Sequence, residues 1–400
     1  EDIKAIFPES AQIGAHFPVM LVSGVEVATF RKENSFGVDR KDVEFSFADT
    51  IEEDLHRRDF TMNAIALDWN DKVIDPFNGT NDIMNHTISF VGDASGRIIE
   101  DPLRMLRAAR FATTMGFDLD EDAQIAIKGN AFLIQTISRE RIRDEFIKII
   151  MSNRAGQGMR LLKELGLMVH VSHDLDATAG VDQNAHHDED VWTHSVETLE
   201  SVSKEDLVLR LAALFHDVGK PKSKYFSNEK NDFTFHGHEC TSAVLVAKIL
   251  DDLRFDKKTI AQVEWLVREH MFFFNEDTRM SRVKIRMADA ERLGLDIRHL
   301  MRIRIADRKG NRAKRHKPVI TRAFMRTFKM IRKAEKENAA LTIKDLAISG
   351  RTLIDMGLEP GRQFALILKS VLAAVLSDEL VNDLEAQKIF VDELVKSGNF

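Results

Sequence analysis

Between Val19 and Arg31 the β-branched residues partly alternate around a glycine, in the order Val-Met-Leu-Val-Ser-Gly-Val-Glu-Val-Ala-Thr-Phe-Arg. That pattern predicts a two-stranded hairpin. A second short strand is expected from Ala64 to Asp68, ending in a turn at Asn70-Asp71. Beyond Asp101 the period changes. Apolar residues fall at helical spacing, as in Leu103, Leu106 and Phe111, then Ile142, Phe146 and Ile149, and the spacing stays helical nearly to Phe400. The expected class is α+β, a small α/β head on a long all-helical body. Weak linkers are expected at 172–184, 227–232 and 310–318, and no repeat of fixed period stands out. The opening Glu-Asp-Ile-Lys-Ala-Ile-Phe reads as a helix already under way, so the chain is expected to continue upstream.

The chain has 400 residues, 44% of them hydrophobic, enough for more than one core and for two to four domains. No apolar run nears the ~20 residues that cross a bilayer, and the opening Glu1-Asp2-Ile3-Lys4 lacks the basic and apolar regions of a signal peptide, so neither a membrane nor secretion is expected. A single cysteine, Cys240, excludes an internal disulfide framework and a multi-cysteine zinc site, and fits a cytoplasmic protein. The net charge of -7 argues against a protein that coats nucleic acid. The charge is uneven, however. From Met301 to Glu335 there are 13 Lys or Arg against two acids, and this stretch is the best candidate for phosphate contact, against a solvated helix face as the plain alternative.

Candidate chemistry begins at Asp54-Leu55-His56-Arg57-Arg58-Asp59-Phe60-Thr61-Met62-Asn63. Paired guanidinium groups can clamp phosphate oxygens, while Asp59 and Asn63 hold a sugar or lock the arginines. By itself this could be a charge-paired helix start. About forty residues on comes Glu100-Asp101-Pro102-Leu103-Arg104-Met105-Leu106-Arg107, with a proline suited to a first helical turn. Asp101, Arg104 and Arg107 recur every three residues and are expected on one helix side. A carboxylate accepts from an exocyclic amino group and an arginine donates to a ring nitrogen. Such a pair admits cytosine and adenine and leaves buried groups unpaired against uracil and guanine.

These two blocks, with Asp75-Pro76-Phe77-Asn78-Gly79-Thr80-Asn81-Asp82-Ile83 between them and Glu140-Arg141-Ile142-Arg143-Asp144-Glu145 after them, resemble the ordered motifs of the class II tRNA nucleotidyltransferase and poly(A) polymerase family. The likeness runs from the first residue to the Ile348–Gly361 stretch. It implies template-independent addition of C and A to tRNA 3' ends from CTP and ATP, with Mg2+ for the transfer. It further implies that Arg57, Arg58, Asp59, Asn63, Asp101, Arg104 and Arg107 bind the nucleotide, and that residues 75–83 form a spring-like element. The implied organisation is a truncated nucleotidyltransferase head over 1–85, a neck over 86–180, a metal-binding body over 181–310 and a helical tail over 311–400.

The family's opening Gly-rich turn and the Asp-x-Asp strand after it are not found here, and two-metal phosphoryl transfer needs those carboxylates. They are expected upstream, so that these 400 residues would not transfer nucleotides by themselves. Asp42-Val43-Glu44 alternates correctly for a strand face but falls where the family has a loop, and Glu26 is the more plausible extra carboxylate, with an exposed strand position as the plain alternative.

Most of the histidines lie from His186 onward, in Trp-Thr-His194, His216-Asp217-Val-Gly-Lys220-Pro, His236-Gly-His238 and Glu-His270, closing on Ala-Asp307-Arg. This resembles the HD phosphohydrolase family. Imidazoles with carboxylates suit a divalent metal, here Mg, Mn, Ni or Fe, whose bound water attacks a phosphate ester. By position His194, His216, Asp217 and Asp307 would hold a first ion, His238 and His270 a second, and Lys220 would neutralise a substrate phosphate. The competing readings are an HD phosphohydrolase with a vestigial nucleotide-binding module, and a non-catalytic RNA-binding protein using the basic stretch.

Overall fold

A computed structural model describes residues 2–13, 19–33, 45–183, 188–229, 231–272, 277–314, 316–337 and 339–398. The Asp42–Glu44 alternation and His186 lie outside the described residues. The chain forms two compact units, residues 1–176 and 177–400.

The first unit opens on the helix Asp2–Ile6 and a three-stranded antiparallel sheet, Ala11–Ile13, Val19–Val22 and Val25–Val27. The hairpin forms because Ser23 and Gly24 both take positive φ, 50° and 85°, which suits the twist of a two-residue turn. It is shorter than the expected span, and Arg31–Glu33 pairs instead with Phe45–Phe47. The strand expected over 64–68 contracts to Ala66–Leu67, paired with Val73–Ile74, because Ala64 is buried at the end of the turn Thr61–Asn63. Asp68 ties that hairpin by accepting from the amides of Asn70 and Lys72 at 2.7 and 2.9 Å.

Helices dominate from Ala94 onward. Leu103–Phe111 and Arg139–Ile150 bury Met105, Leu106, Ile142, Phe146 and Ile149 between them and their neighbours. The expected placement of Asp101 on one helix side with the two arginines does not hold. Asp101 is not on the same helix as Arg104 and Arg107: it follows the helix Ala94–Glu100 in extended conformation, φ -147°, and Pro102 caps the next helix.

The second unit packs the helices Val191–Glu200, Leu207–Phe215, His238–Asp252, Lys257–Glu269 and Arg298–Gly310. Both ends of the stretch 227–232, expected as a linker, are strand residues: Tyr225–Ser227 pairs antiparallel with Asp232–Thr234. A separate apolar cluster, including Ile348, Leu353, Ile367, Val371 and Val391, holds the last helices together. Among the described residues no helix is long and apolar enough to cross a membrane.

Candidate functional site

Two clusters of functional side chains form, one in each unit. In the first, Thr50 caps the helix Ile51–His56 and Arg57 ends it, so the paired arginines sit where the chain leaves the helix. Buried Asp54 accepts from Arg57 Nε and Nη2 at 3.0 and 2.7 Å, from Arg58 Nη2 at 3.2 Å and from the amide of Arg31 at 3.1 Å. Burial alone would raise its pKa, but these donors hold it below the usual carboxylate value.

Asp59 is buried and accepts from Asn63 Nδ2 at 3.0 Å and from Arg107 Nε and Nη2 at 2.8 and 2.6 Å. Its carboxylate is held ionised against the cost of burial by the Arg107 charge and the Asn63 amide. Arg107 thereby joins the helix Leu103–Phe111 to the arginine segment. The Asp101 carbonyl accepts from the Arg104 amide at 2.9 Å, but the side chains have other partners: Asp101 Oδ2 accepts from Arg141 at 2.8 Å, whereas the buried Arg104 guanidinium donates to Glu100 at 2.5 Å and to the carbonyl oxygens of Arg97 and Arg57. Sequence reasoning passed over Arg97 and the Arg110–Glu145 pair, the latter at 2.6 Å. The Arg97, Glu100 and Arg104 spacing of three and four residues was the available signal.

Arg58 keeps 46% of its side chain exposed, Arg107 33% and Arg141 30%, so an anion can reach these guanidiniums more readily than those of buried Arg97 and Arg104. Glu26 stands exposed on the strand Val25–Val27, opposite Leu21.

In the second unit five elements converge. His194 rides the helix Val191–Glu200, which Asp190 caps by accepting from the Thr193 amide. His216 ends the helix Leu207–Phe215, with Asp217 next in the chain; His238 opens its helix, His270 ends Lys257–Glu269, and Asp307 lies on Arg298–Gly310. The Val-Gly-Lys-Pro sequence has a local cause. A Cβ on Gly219 would meet the Ser242 amide nitrogen at 2.5 Å, and the Gly219 amide donates to Ser242 Oγ at 2.8 Å, so only glycine lets the His216 turn lie against the His238 helix.

The donors are aimed inward. The Nδ1 groups of His216, His238 and His270 each donate to the carbonyl three residues before, Ala213, Phe235 and Val267, at 2.9, 2.7 and 2.6 Å. Nε2 is thus the nitrogen turned to the centre, 3.0, 3.2 and 3.9 Å from an Asp217 carboxylate oxygen for His216, His238 and His270. His194 Nε2 and His216 Nε2 face one another at 3.2 Å, and Asp307 Oδ1 lies 3.2 Å from the former. The triads His194, His216, Asp217 and Asp217, His238, His270 each bring one ligand atom per residue within 4.8 Å of one another, sharing Asp217. This donor set fits two divalent ions of the nitrogen- and oxygen-binding kind.

The charges are strongly coupled. Burial opposes a charge on His194, but hydrogen bonds with Asp307 and Glu189 push its pKa up to about 9. Burial, then the neighbouring His216, pushes His270 down to about 3. Asp217 and Asp307 are held below the carboxylate range despite burial, by His216 and Lys220 in one case and by His194 in the other. Lys220 is buried, with Nζ 2.7 Å from Asp217 and 2.6 Å from Gln183 Oε1.

Sequence reasoning missed Glu189, 3.4 Å from His194 Nδ1, and Gln183; neither carries a spacing signal. His216, Asp217, His238, His270 and Asp307 line a cavity of about 570 Å³, whose far wall carries Phe324 and Thr327.

Residues 4–89 match the family described as Poly A polymerase head domain, 116–178 the Probable RNA and SrmB- binding site of polymerase A, and 185–309 the HD domain. The A-adding tRNA nucleotidyltransferase of Deinococcus radiodurans is 30% identical over 387 residues, 94% of this chain and 87% of that protein. A CCA-adding enzyme of Streptococcus agalactiae is 28% identical over 405 residues, 98% of this chain and 86% of that protein. The fold resembles that of the Bacillus stearothermophilus CCA-adding enzyme crystallised with CTP, with a TM-score of 0.63, 24% identity, and coverage of 99% of this chain and 86% of that one.

Proposed function

This chain belongs to the tRNA nucleotidyltransferase family, and from that premise we propose that it adds C and A to tRNA 3' ends, taking them from CTP and ATP without a template. The observation that carries this reading is the Arg107–Asp59 pair, which brings the Arg57, Arg58, Asp59, Asn63 segment and the Arg104, Arg107 helix into one cluster. Arg58 and Arg107, the more exposed guanidiniums, take the triphosphate. Asp101 and Arg104 read the base, which requires both to exchange present partners: Asp101 leaves Arg141 and Arg104 leaves Glu100.

Mg2+ supplies the charge neutralisation of phosphoryl transfer in such a reaction. The carboxylates of this cluster do not fit it, since Asp54, Asp59, Glu100 and Asp101 are each bonded by arginine, and no step through Mg2+ is assigned to them. Phosphate contacts to tRNA are assigned to the helix Arg322–Lys336. There Arg322, Arg326, Lys329, Lys333 and Lys336 recur at alternating spacings of four and three along about 21 Å of axis.

The test gives the protein a tRNA ending before CCA and one ending in CC, with each labelled nucleoside triphosphate in turn. Incorporation of C on the first and A on the second supports the reading and overturns the expectation that these residues do not transfer by themselves, whereas selective binding of CTP and ATP without incorporation supports both. Incorporation of A alone narrows it to A addition, and equal use of all four nucleotides overturns it.

A second reading concerns the same protein, and the inward-facing imidazoles of the second unit favour it. His194, His216, Asp217 and Asp307 hold one divalent ion and Asp217, His238 and His270 another, and the centre hydrolyses phosphate esters. Lys220 holds Asp217 ionised and turned to the centre. Hydrolysis of 2',3'-cAMP by the manganese-loaded protein, lost in Asp217→Asn, is expected; hydrolysis that persists in that variant sinks the assignment.

A further inference from the structure

The wall of the HD cavity between Arg304 and Lys314 carries more positive charge than the metal ligands require. Lys220 is matched to Asp217 at 2.7 Å and Arg304 to Asp307 at 3.7 Å, while Glu239 lies 3.5 Å from His238. Arg308 and Lys314 also line the cavity, and among the described residues neither makes an ion pair. Arg308 is oriented by its Nε, which donates to the carbonyl of Pro318 at 2.8 Å.

The turn that delivers Lys314 is anchored rather than loose. Gly310 ends the Asp307 helix so close to the His194 helix that a Cβ would meet the Thr198 amide nitrogen at 2.7 Å. Arg312 then donates from Nε to Glu197 at 2.8 Å and from its amide to Glu189 at 3.2 Å. Glu189 is the carboxylate beside His194 Nδ1, so the metal-binding helix and the Lys314 turn share one support. An anchored pair of cations with no direct ion pair among the described residues, Lys314 feeling Asp307 only through space, is complementary to a further anion.

We propose that Arg308 and Lys314 form a second phosphate subsite of the HD cavity, so that the centre takes a ligand with two phosphates, one at the metal ligands and one on this pair. The inference rests on reading the HD centre as a phosphate-ester site. A second phosphate is present both in an RNA end, as the diester before the terminal nucleotide, and in a nucleoside diphosphate. The RNA end is the source favoured by the basic helix Arg322–Lys336, whose Phe324 and Thr327 line the same cavity.

The experiment measures equilibrium binding of 3'-AMP, adenosine 3',5'-bisphosphate and ADP to the manganese-loaded full chain, in an Arg107→Ala background that weakens nucleotide binding in the first unit. The bisphosphate is expected to bind about tenfold tighter than 3'-AMP, as one charge-assisted contact allows. Lys314→Met and Arg308→Ala should each remove most of that gain, change 3'-AMP affinity less than about twofold, and leave metal content unchanged. An equal gain for ADP supports the subsite with a diphosphate as its source. A bisphosphate no tighter than 3'-AMP, or variants that weaken both ligands alike, overturns the subsite. Hydrolysis of 2',3'-cAMP is measured separately: its absence beside an intact bisphosphate preference removes the hydrolytic reading and leaves the subsite standing.

Discussion

The two clusters are built from similar charges and differ in how those charges are closed. In the first unit each carboxylate of the cluster is bonded by a guanidinium: Asp54 by Arg57 and Arg58, Asp59 by Arg107, Glu100 by Arg97 and Arg104, Asp101 by Arg141. In the second, three imidazoles spend their Nδ1 protons on backbone carbonyls and turn Nε2 on the one carboxylate of Asp217. A closed lattice has to trade partners before it can take a new ligand, whereas converging imidazoles and carboxylates offer donors that a cation could use directly.

The sharpest way to break this contrast is to remove Asp217, the ligand shared by both triads. Asp217→Asn should lower bound metal from two ions per chain to fewer than one by elemental analysis, with nucleotide binding in the first unit unchanged. Full metal retention would show that the imidazoles do not depend on the shared carboxylate.

Breaking the lattice should be costly in a different way. Arg107→Ala leaves Asp59 buried without its main countercharge, and since Arg107 is one-third exposed the expected loss is about 2 kcal/mol in urea unfolding, with nucleotide affinity down at least tenfold and metal content unchanged. The Asp59 contribution is present above the ordinary carboxylate pKa and is lost as pH falls through its lowered folded value, so the variant should differ least from the parent in acid. A variant as stable as the parent at neutral pH would mean the pair is dispensable.

Gly219→Ala tests the packing beneath the histidine centre. The added Cβ would press on the Ser242 backbone at 2.5 Å, and metal affinity is expected to fall about 10- to 100-fold, because the ligands at 216 and 238 ride on the two segments in contact. Unchanged affinity would place the freedom in those segments rather than in the glycine.

The smallest effect is expected at His299 and Asp206, 3.2 Å apart and away from both clusters. The His299 pKa is raised by Asp206, and that of Asp206 is lowered against its burial by His299. The histidine contribution is therefore full below about 6.5 and fades as pH rises through its raised value; the aspartate contribution fades as pH falls through its lowered one. His299→Ala should cost under about 1 kcal/mol at pH 5.5 and less at pH 9. A cost that grows with pH would reverse the sign of the coupling.

Much of this was legible in the chain. Helical spacing after Asp101, the Ser23-Gly24 hairpin and the order of the histidine motifs depend on local periodicity and on residue chemistry, which sequence displays directly. The placement of Asp101 was misread because its three-residue spacing from Arg104 matches a helix, while Pro102 makes it the link between two. The partners of each charge were not legible at all. Arg107 finds Asp59 across 48 positions and Arg312 finds Glu197 across 115, and nothing near either residue announces the other.

The sequence alone therefore determined which groups could do chemistry and which segments would be helical, because both follow from residue type and short-range spacing. The tertiary structure decided which charges are closed upon one another and which are left open, since a carboxylate's state depends on burial and on the donors that distant segments bring to it. That is why the Asp101 carboxylate holds the Arg141 guanidinium, and why Arg308 and Lys314, distant from the histidines in sequence, line the same cavity.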